Sequence, residues 1–428
     1  MKRWLVLFSV VFVATLSLVA DMSATSSSDV SPSAQSKKAV KAPPAPAPAP
    51  ANDDCLACHG DPDAKSEAGR NVAVDGAKFI DSVHGALDLK CVDCHADLKT
   101  FTDFPHESKL AKADCTSCHK DQVAAYDRSI HAAARRQSTG SVAATCTDCH
   151  SVHEMRQKDD PKSLTYPLNL PTTCGRCHGD PKVIAQGHIA IGNVADLYKD
   201  SIHGKAVSRS GLMVAANCTS CHGSHDIRKK SDPDSRVFRR NVPKVCGDCH
   251  EGIKAQYDAG VHGAALAKGN DKAPVCADCH TAHQIQRADT ATWKLDTIRE
   301  CGTCHVDKIA TYRDTFHGQV TSLGFVRVAA CSDCHGAHEI HGKGDARSKV
   351  SPAKVLQTCR TCHPTAGENF AKYDPHADKH SATRNPVLFY AAGFMKWLLI
   401  GVFGVFGLHA VLWLPRGFKV RREKGRHS

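Results

Sequence analysis

All twenty-two cysteines of this 428-residue chain fall in the pattern C-x-x-C-H, which occurs eleven times. The motifs are Cys55/Cys58/His59, Cys91/Cys94/His95, Cys115/Cys118/His119, Cys146/Cys149/His150, Cys174/Cys177/His178, Cys218/Cys221/His222, Cys246/Cys249/His250, Cys276/Cys279/His280, Cys301/Cys304/His305, Cys331/Cys334/His335 and Cys359/Cys362/His363. C-x-x-C-H is the attachment signature of c-type haem. The two thiols add to the haem vinyl groups, and the adjacent histidine becomes the proximal iron ligand. A redox dithiol, a disulfide framework or a zinc knuckle competes for a lone C-x-x-C. Here no cysteine is left over, and every second Cys is followed by His, which points to eleven covalent haem c groups. Adjacent Cys and His are also awkward tetrahedral co-ligands for zinc.

That haem load limits the fold. About 330 residues would carry it, roughly 30 per haem. Aromatic residues make up only 6% of the chain. So thin a chain cannot build an ordinary side-chain core, and the porphyrins must act as the core, with the polypeptide wrapped round them. The expected class is mainly α with little regular structure, in repeated two-haem modules, and the chain without haem should be largely unfolded.

Modules begin at Cys55, Cys115, Cys174, Cys246 and Cys301, with a half module at Cys359. After each odd-numbered motif of these five modules comes a segment resembling Y-x-x-S-x-H-G, which supplies His84, His131, His203, His262 and His317. The spacing from motif His to this His is 12 residues in three copies and 25 after His59 and His178, as if one insertion were used twice. Even-numbered motifs of modules two to five continue as C-H-x-x-H, which supplies His153, His225, His283 and His338. A histidine three residues past the motif cannot reach the far face of its own iron, but it can reach a neighbouring haem. The first module departs from this pattern, and its second spare histidine is His106. The half module offers His376 or His380, and spacing favours His376. Eleven distal candidates then match eleven haems. His188 and His341 are left over and read as surface or propionate-bonded residues.

Residues 1–22 have a basic start, an apolar run and small residues near Ala20, as in a secretory signal. Leu18 makes a mediocre cleavage site, so an uncleaved anchor is the competing reading. Residues 23–52 are Ser-rich and then Pro/Ala-rich, an extended linker or disordered spacer. Residues 53–385 form the haem domain. Residues 387–414 read as a transmembrane helix, in which the eighteen residues from Trp397 to Leu414 are uncharged and long enough to span a bilayer, with Trp397 and Trp413 at the edges. Residues 415–428 form a basic tail that would stay in the cytoplasm, leaving the haem domain in the periplasm on a single inner-membrane span. His409 lies within the span, where it could ligate a b-type haem with a partner or bond a quinol, or merely make a helix contact.

The net charge of +11 resides largely at the ends: the tail contributes +5 and Lys2 and Arg3 two more. Haem propionates would turn the remainder negative, so nucleic-acid binding is not supported. Two histidines per iron close both axial positions and suit electron transfer, and only Met155 and Met213 are available in the haem domain as alternative ligands. No catalytic residue is assigned. A reductase with one open haem site is the alternative, and a stacking extracellular wire is a third reading.

Over residues 53–385 the doubled C-x-x-C-H repeats resemble those of multihaem cytochromes c, including the periplasmic decahaem and pentahaem electron carriers of anaerobic metal and nitrite respiration. The C-terminal segment ending HAVLWLPRG is similar to that of multihaem subunits accompanying a membrane cytochrome b in menaquinol oxidoreductases. That resemblance implies inner-membrane cytochrome b or iron–sulfur quinol-oxidising partners, with periplasmic redox partners or outer-membrane acceptors receiving the electrons.

Overall fold

The computed structural model describes residues 48–107, 109–138 and 140–425. The expected signal segment and the linker up to residue 47 lie outside the described residues. The chain divides into a unit Met1–Pro48 and a unit Ala49–Ser428, and the second carries every motif. Among the described residues the only β pairing is one isolated bridge between Lys65 and Asn71. Apart from Ala291–Cys304 (14 residues) and Pro386–Lys424 (39 residues), the α-helices have four to nine residues. Helices that short are marginal alone and depend on caps and on partners from elsewhere in the chain.

The caps are encoded inside the motifs. Even-numbered motifs start a short helix at their first cysteine, as in Cys146–His150, Cys276–His280 and Cys331–His335. The residue before the second cysteine is Asp in all three. Its carboxylate accepts from the backbone N–H just ahead of the helix: Asp148 from Thr145, Asp278 from Val275 and Asp333 from Ala330, at 2.6–2.8 Å. This satisfies a donor that the first helical turn leaves unpaired. The helix then stops at once, because Ser151, Gly223, Thr281 and Gly336 have φ between +62° and +88°. The chain reverses there, which turns the following C-H-x-x-H histidine away from its own motif.

The Y-x-x-S-x-H-G segments are the second structural unit. Ser129, Ser201 and Thr315 cap the helices Ile130–Gln137, Ile202–Ser210 and Phe316–Ser322, accepting from the N–H three residues on. The tyrosine hydroxyls donate to carbonyls two residues ahead of the next motif: Tyr126 to Ala144, Tyr198 to Ala216, Tyr257 to Pro274 and Tyr312 to Ala329, at 2.7–2.9 Å. Each tyrosine thus ties an odd motif's helix to the even motif of its own module. A Cβ on Gly318 would lie 2.1 Å from the Tyr312 carbonyl oxygen, so glycine permits the close turn there.

Modules are joined to one another by main chain. The first N–H of each distal-histidine helix has no partner within the helix. Ile130 donates to Ile227, Ile202 to Ile285 and Val261 to Ile340, and Val83 does the same to Met155, at 2.7–2.9 Å. Each acceptor lies two residues past the C-H-x-x-H histidine of the next module. Ten apolar side chains are buried among the described residues, Val92, Val207 and Ile298 among them. That is too few for a conventional core in a unit of this length.

The apolar run expected at 387–414 lies within the longer helix Pro386–Lys424, exposed along its length. It is the one helix among the described residues long and apolar enough to cross a membrane. The segment from residue 415 is therefore helical as far as Lys424 rather than a separate tail. Pro415 is accommodated inside the helix, and the Lys and Arg residues beyond it are good helix formers.

Candidate haem sites

Each motif histidine faces one histidine from outside the motifs. From odd motif to odd motif the pairing runs forward: His84 faces His119, His131 faces His178, His203 faces His250, His262 faces His305 and His317 faces His363, with ring centroids 6.1–6.3 Å apart. From even motif to even motif it runs backward: His153 faces His95, His225 faces His150, His283 faces His222 and His338 faces His280, at 6.0–6.5 Å. The ends close differently. His106 faces His59 of its own module at 5.9 Å, and His376 of the half module faces His335 at 6.1 Å. Two imidazole–metal bonds of about 2 Å, plus half of each ring, come to about 6 Å between centroids.

Neighbouring modules are thus interlocked twice, once in each direction. The reversal after each even motif and the backbone bond two residues past its free histidine hold that side chain toward the preceding module. The Ser or Thr cap and the tyrosine anchor aim the other one forward.

The cysteines set the order of the sites. Within each of the five full modules the first thiols of the two motifs are in contact: Cys55 with Cys91, Cys115 with Cys146, Cys174 with Cys218, Cys246 with Cys276 and Cys301 with Cys331. Between modules the second cysteine of an even motif lies within electrostatic reach of the next odd motif. Cys94 senses Cys118, Cys149 senses Cys177, Cys221 senses Cys249, Cys279 senses Cys301 and Cys334 senses Cys359. Every motif therefore neighbours the one before and the one after it in sequence.

No two of the cysteines are joined in a disulfide. The first cysteine of every motif is half-buried, but the second cysteines Cys58, Cys94, Cys118, Cys249, Cys304 and Cys362 are exposed. A thiol that adds to a vinyl group must be reachable, and an exposed one meets that need.

The donors have the character that haem needs. Burial, and then the charge of the facing ring, pushes His131, His203, His262 and His317 below the ordinary histidine range. The neutral imidazole thereby favoured is the form that ligates a metal. His59 Nδ1–H donates to the Val72 carbonyl at 2.8 Å. A carbonyl cannot donate, so Nδ1 carries the proton and Nε2 keeps its lone pair. Among the described residues no group of three or more His, Cys, Asp or Glu side chains forms a bare-metal site. Two donors buried without a protein partner stand beside these rings: Ser151 Oγ, next to His150, and Trp293 Nε1, on the indole stacked against His280. Such donors suit the carboxylates that a haem carries.

The leftover histidines fare differently. His188 is exposed, with φ +48°, and has no ring partner. His380 is exposed, and it is His376 that stands at His335. His409 lies exposed on the C-terminal helix. His341, expected at the surface or at a propionate, is instead buried between Glu339 and Asp345. It takes the place held by Arg156 against Asp160 and by Arg228 against Asp232 in earlier modules. Spacing alone does not reveal this substitution. Nor does it reveal the packing of Trp293 on His280 or of Phe370 on His363.

Comparison with known proteins agrees with this architecture. Residues 83–179 match the cytochrome c3 family, and residues 212–255 match the doubled CXXCH motif family. The chain is 24% identical over 166 residues to the cytochrome c-type protein NrfB of Escherichia coli O6:H1, covering 39% of this chain and 66% of that protein. The chain therefore spans just under two thirds of that relative's length. No solved structure matches it significantly. With doubled motifs, facing histidines and a helical fold that lacks strands among its described residues, the chain is a multihaem c-type cytochrome, binding haem c through its C-x-x-C-H motifs.

Proposed function

We propose that this protein carries electrons along eleven haems, each held by one motif histidine and the non-motif histidine facing it. On this reading electrons pass from a quinol-oxidising partner in the inner membrane to periplasmic or outer-membrane acceptors in anaerobic respiration. The observation that carries the reading is the completeness of the pairing: no motif histidine lacks a facing ring. Haem supplies the one-electron chemistry. The histidines close both axial positions and so keep substrates off the iron, and the adjoining thiols hold successive sites side by side. The helix Pro386–Lys424 supports a single-span anchor, with the basic residues after Leu414 on the cytoplasmic side. One span offers little of a quinol pocket, which supports a cytochrome b or iron–sulfur subunit as the donor.

Intact mass and frozen-solution EPR of the membrane-extracted protein test this together. Eleven haems per chain, all low-spin, are expected. A haem count below eleven, or a high-spin ferric signal in the untreated protein, would replace the carrier reading with that of a reductase having an open site. A chain ended after Asn385 should leave the membrane fraction with its haems intact. Retention in the membrane would refute the C-terminal anchor.

A further inference from the structure

The ring nitrogens not facing a partner ring differ from site to site, and the first site stands apart. His59 Nδ1–H donates to the Val72 carbonyl at 2.8 Å, and His106 Nδ1–H donates to the Glu107 carbonyl at 2.7 Å. Among the described residues, no other facing pair has main-chain acceptors on both rings. At the next site, His95 Nδ1 is buried with no partner. At the tenth, His376 Nδ1 meets a hydroxyl, Thr311 Oγ1, at 3.1 Å.

We propose that the site of His59 and His106 is the lowest-potential haem site of the chain, set there by two carbonyls that accept from both of its imidazoles. This rests on the reading of facing rings as axial pairs. An imidazole that gives its Nδ1 proton to a carbonyl becomes a stronger donor to the metal. A stronger axial donor stabilises ferric over ferrous iron and lowers the potential. At the second site the unpartnered His95 makes the weaker donor, so an electron on the first site runs downhill to its neighbour.

The inserted residues after His59 are the device that places the first carbonyl. They fold back on themselves: Val72 N–H donates to Ala64 O at 2.9 Å, Ser66 N–H donates to Arg70 O at 2.9 Å, and Gly69 makes the turn at φ +74°. Val74 N–H returns to the His59 carbonyl at 2.6 Å. The insertion of equal length after His178 does something else. It forms the helix Pro181–Gln186, and no carbonyl among the described residues accepts from His178. Equal spacing in the sequence therefore conceals two roles. The Val72 segment positions a ligand rather than supplying one.

The test is a spectroelectrochemical titration of the full haem-loaded chain. Removing the first haem with Cys55→Ala/Cys58→Ala should delete the lowest-potential one-electron component, while Cys91→Ala/Cys94→Ala should leave it in place. Gly69→Val, which places a β-branched side chain at a φ that strains it, should raise the same component while the spectrum stays low-spin. If the thioether variants do not accumulate, His106→Met serves instead, because methionine ligation raises the potential of its own site. The proposal is overturned if the lowest component survives Cys55→Ala/Cys58→Ala, stays put in His106→Met, or does not move in Gly69→Val. A high-spin signal at this site in the wild-type protein would instead defeat the axial-pair reading beneath it.

Discussion

His84 and His119 belong to different modules, yet their rings face each other at 6.1 Å with planes 61° apart. His131 and His178 repeat the arrangement one module on, at 65°. The backward pairs His150–His225, His222–His283 and His280–His338 are close to coplanar, at 13°, 4° and 17°. Relative ring orientation governs how the ferric d orbitals split. Parallel planes separate the two π-bonding orbitals, and crossed planes leave them nearly equal. Frozen-solution EPR of the oxidised protein should therefore show two low-spin families. A strongly anisotropic one, contributed by His119 and His178, should lose about half its intensity in Cys115→Ala/Cys118→Ala. A single uniform family would contradict the ring geometry.

His338 lies three residues beyond His335 but faces His280, one module back. Replacing it with alanine should open the haem at Cys276/Cys279 and leave that at Cys331/Cys334 closed. The expected result is one carbon monoxide bound per reduced chain, against none for the parent. Adding Cys276→Ala/Cys279→Ala should abolish that binding, whereas adding Cys331→Ala/Cys334→Ala should leave it. The reverse outcome would place His338 on its own module's haem.

Apart from His106, the non-motif histidines that face a motif ring sit at or near repeat positions, because a free His at a fixed distance from each motif leaves a periodic trace. The direction of pairing leaves none. It depends on the positive φ at Ser151, Gly223, Thr281 and Gly336, and on backbone bonds such as Val261 to Ile340. Two of those four turn positions are not glycine, so composition does not announce the reversal. The Val72 carbonyl at His59 is equally hidden, since main-chain acceptors have no sequence signature. The helical class was legible from haem density and the lack of strand patterning. The extent of the C-terminal helix was not, because Pro415 reads as a stop and is tolerated inside it.

The Tyr312 hydroxyl donates to the Ala329 carbonyl at 2.9 Å and is buried with its ring. Tyr312→Phe keeps the ring and orphans that carbonyl, costing about 1–2 kcal/mol. Thermal unfolding of the haem-loaded chain should begin at lower temperature, with the absorption spectrum unchanged at rest. An unaltered transition would show that the tyrosine acts by packing alone.

Thr281 holds φ +62° and ψ −179°, a region that glycine alone occupies without strain. Its side chain is exposed, so removing it loses little packing. Thr281→Gly should therefore stabilise the fourth module by about 1 kcal/mol, the lower end of the strain such a residue stores. Denaturant unfolding of the haem-loaded protein, followed at the haem absorption band, should move to higher midpoint. A lower midpoint would mean that chain entropy outweighs the strain.

Ten apolar side chains are buried among the described residues, and most helices there have nine residues or fewer. Isolated helices of that length do not persist in water. Facing imidazoles add no attraction of their own, and the rings of His178 and His363 lower the affinity of His131 and His317 for a proton. What holds forward and backward pairs together must then be the group between them, so attachment and folding are one event. The full chain produced where haem cannot be attached should show little helical circular dichroism beyond that of Pro386–Lys424, and protease should cut it throughout residues 53–385. A protease-resistant helical core in that preparation would show that the side chains suffice, and that haem fills a fold already formed.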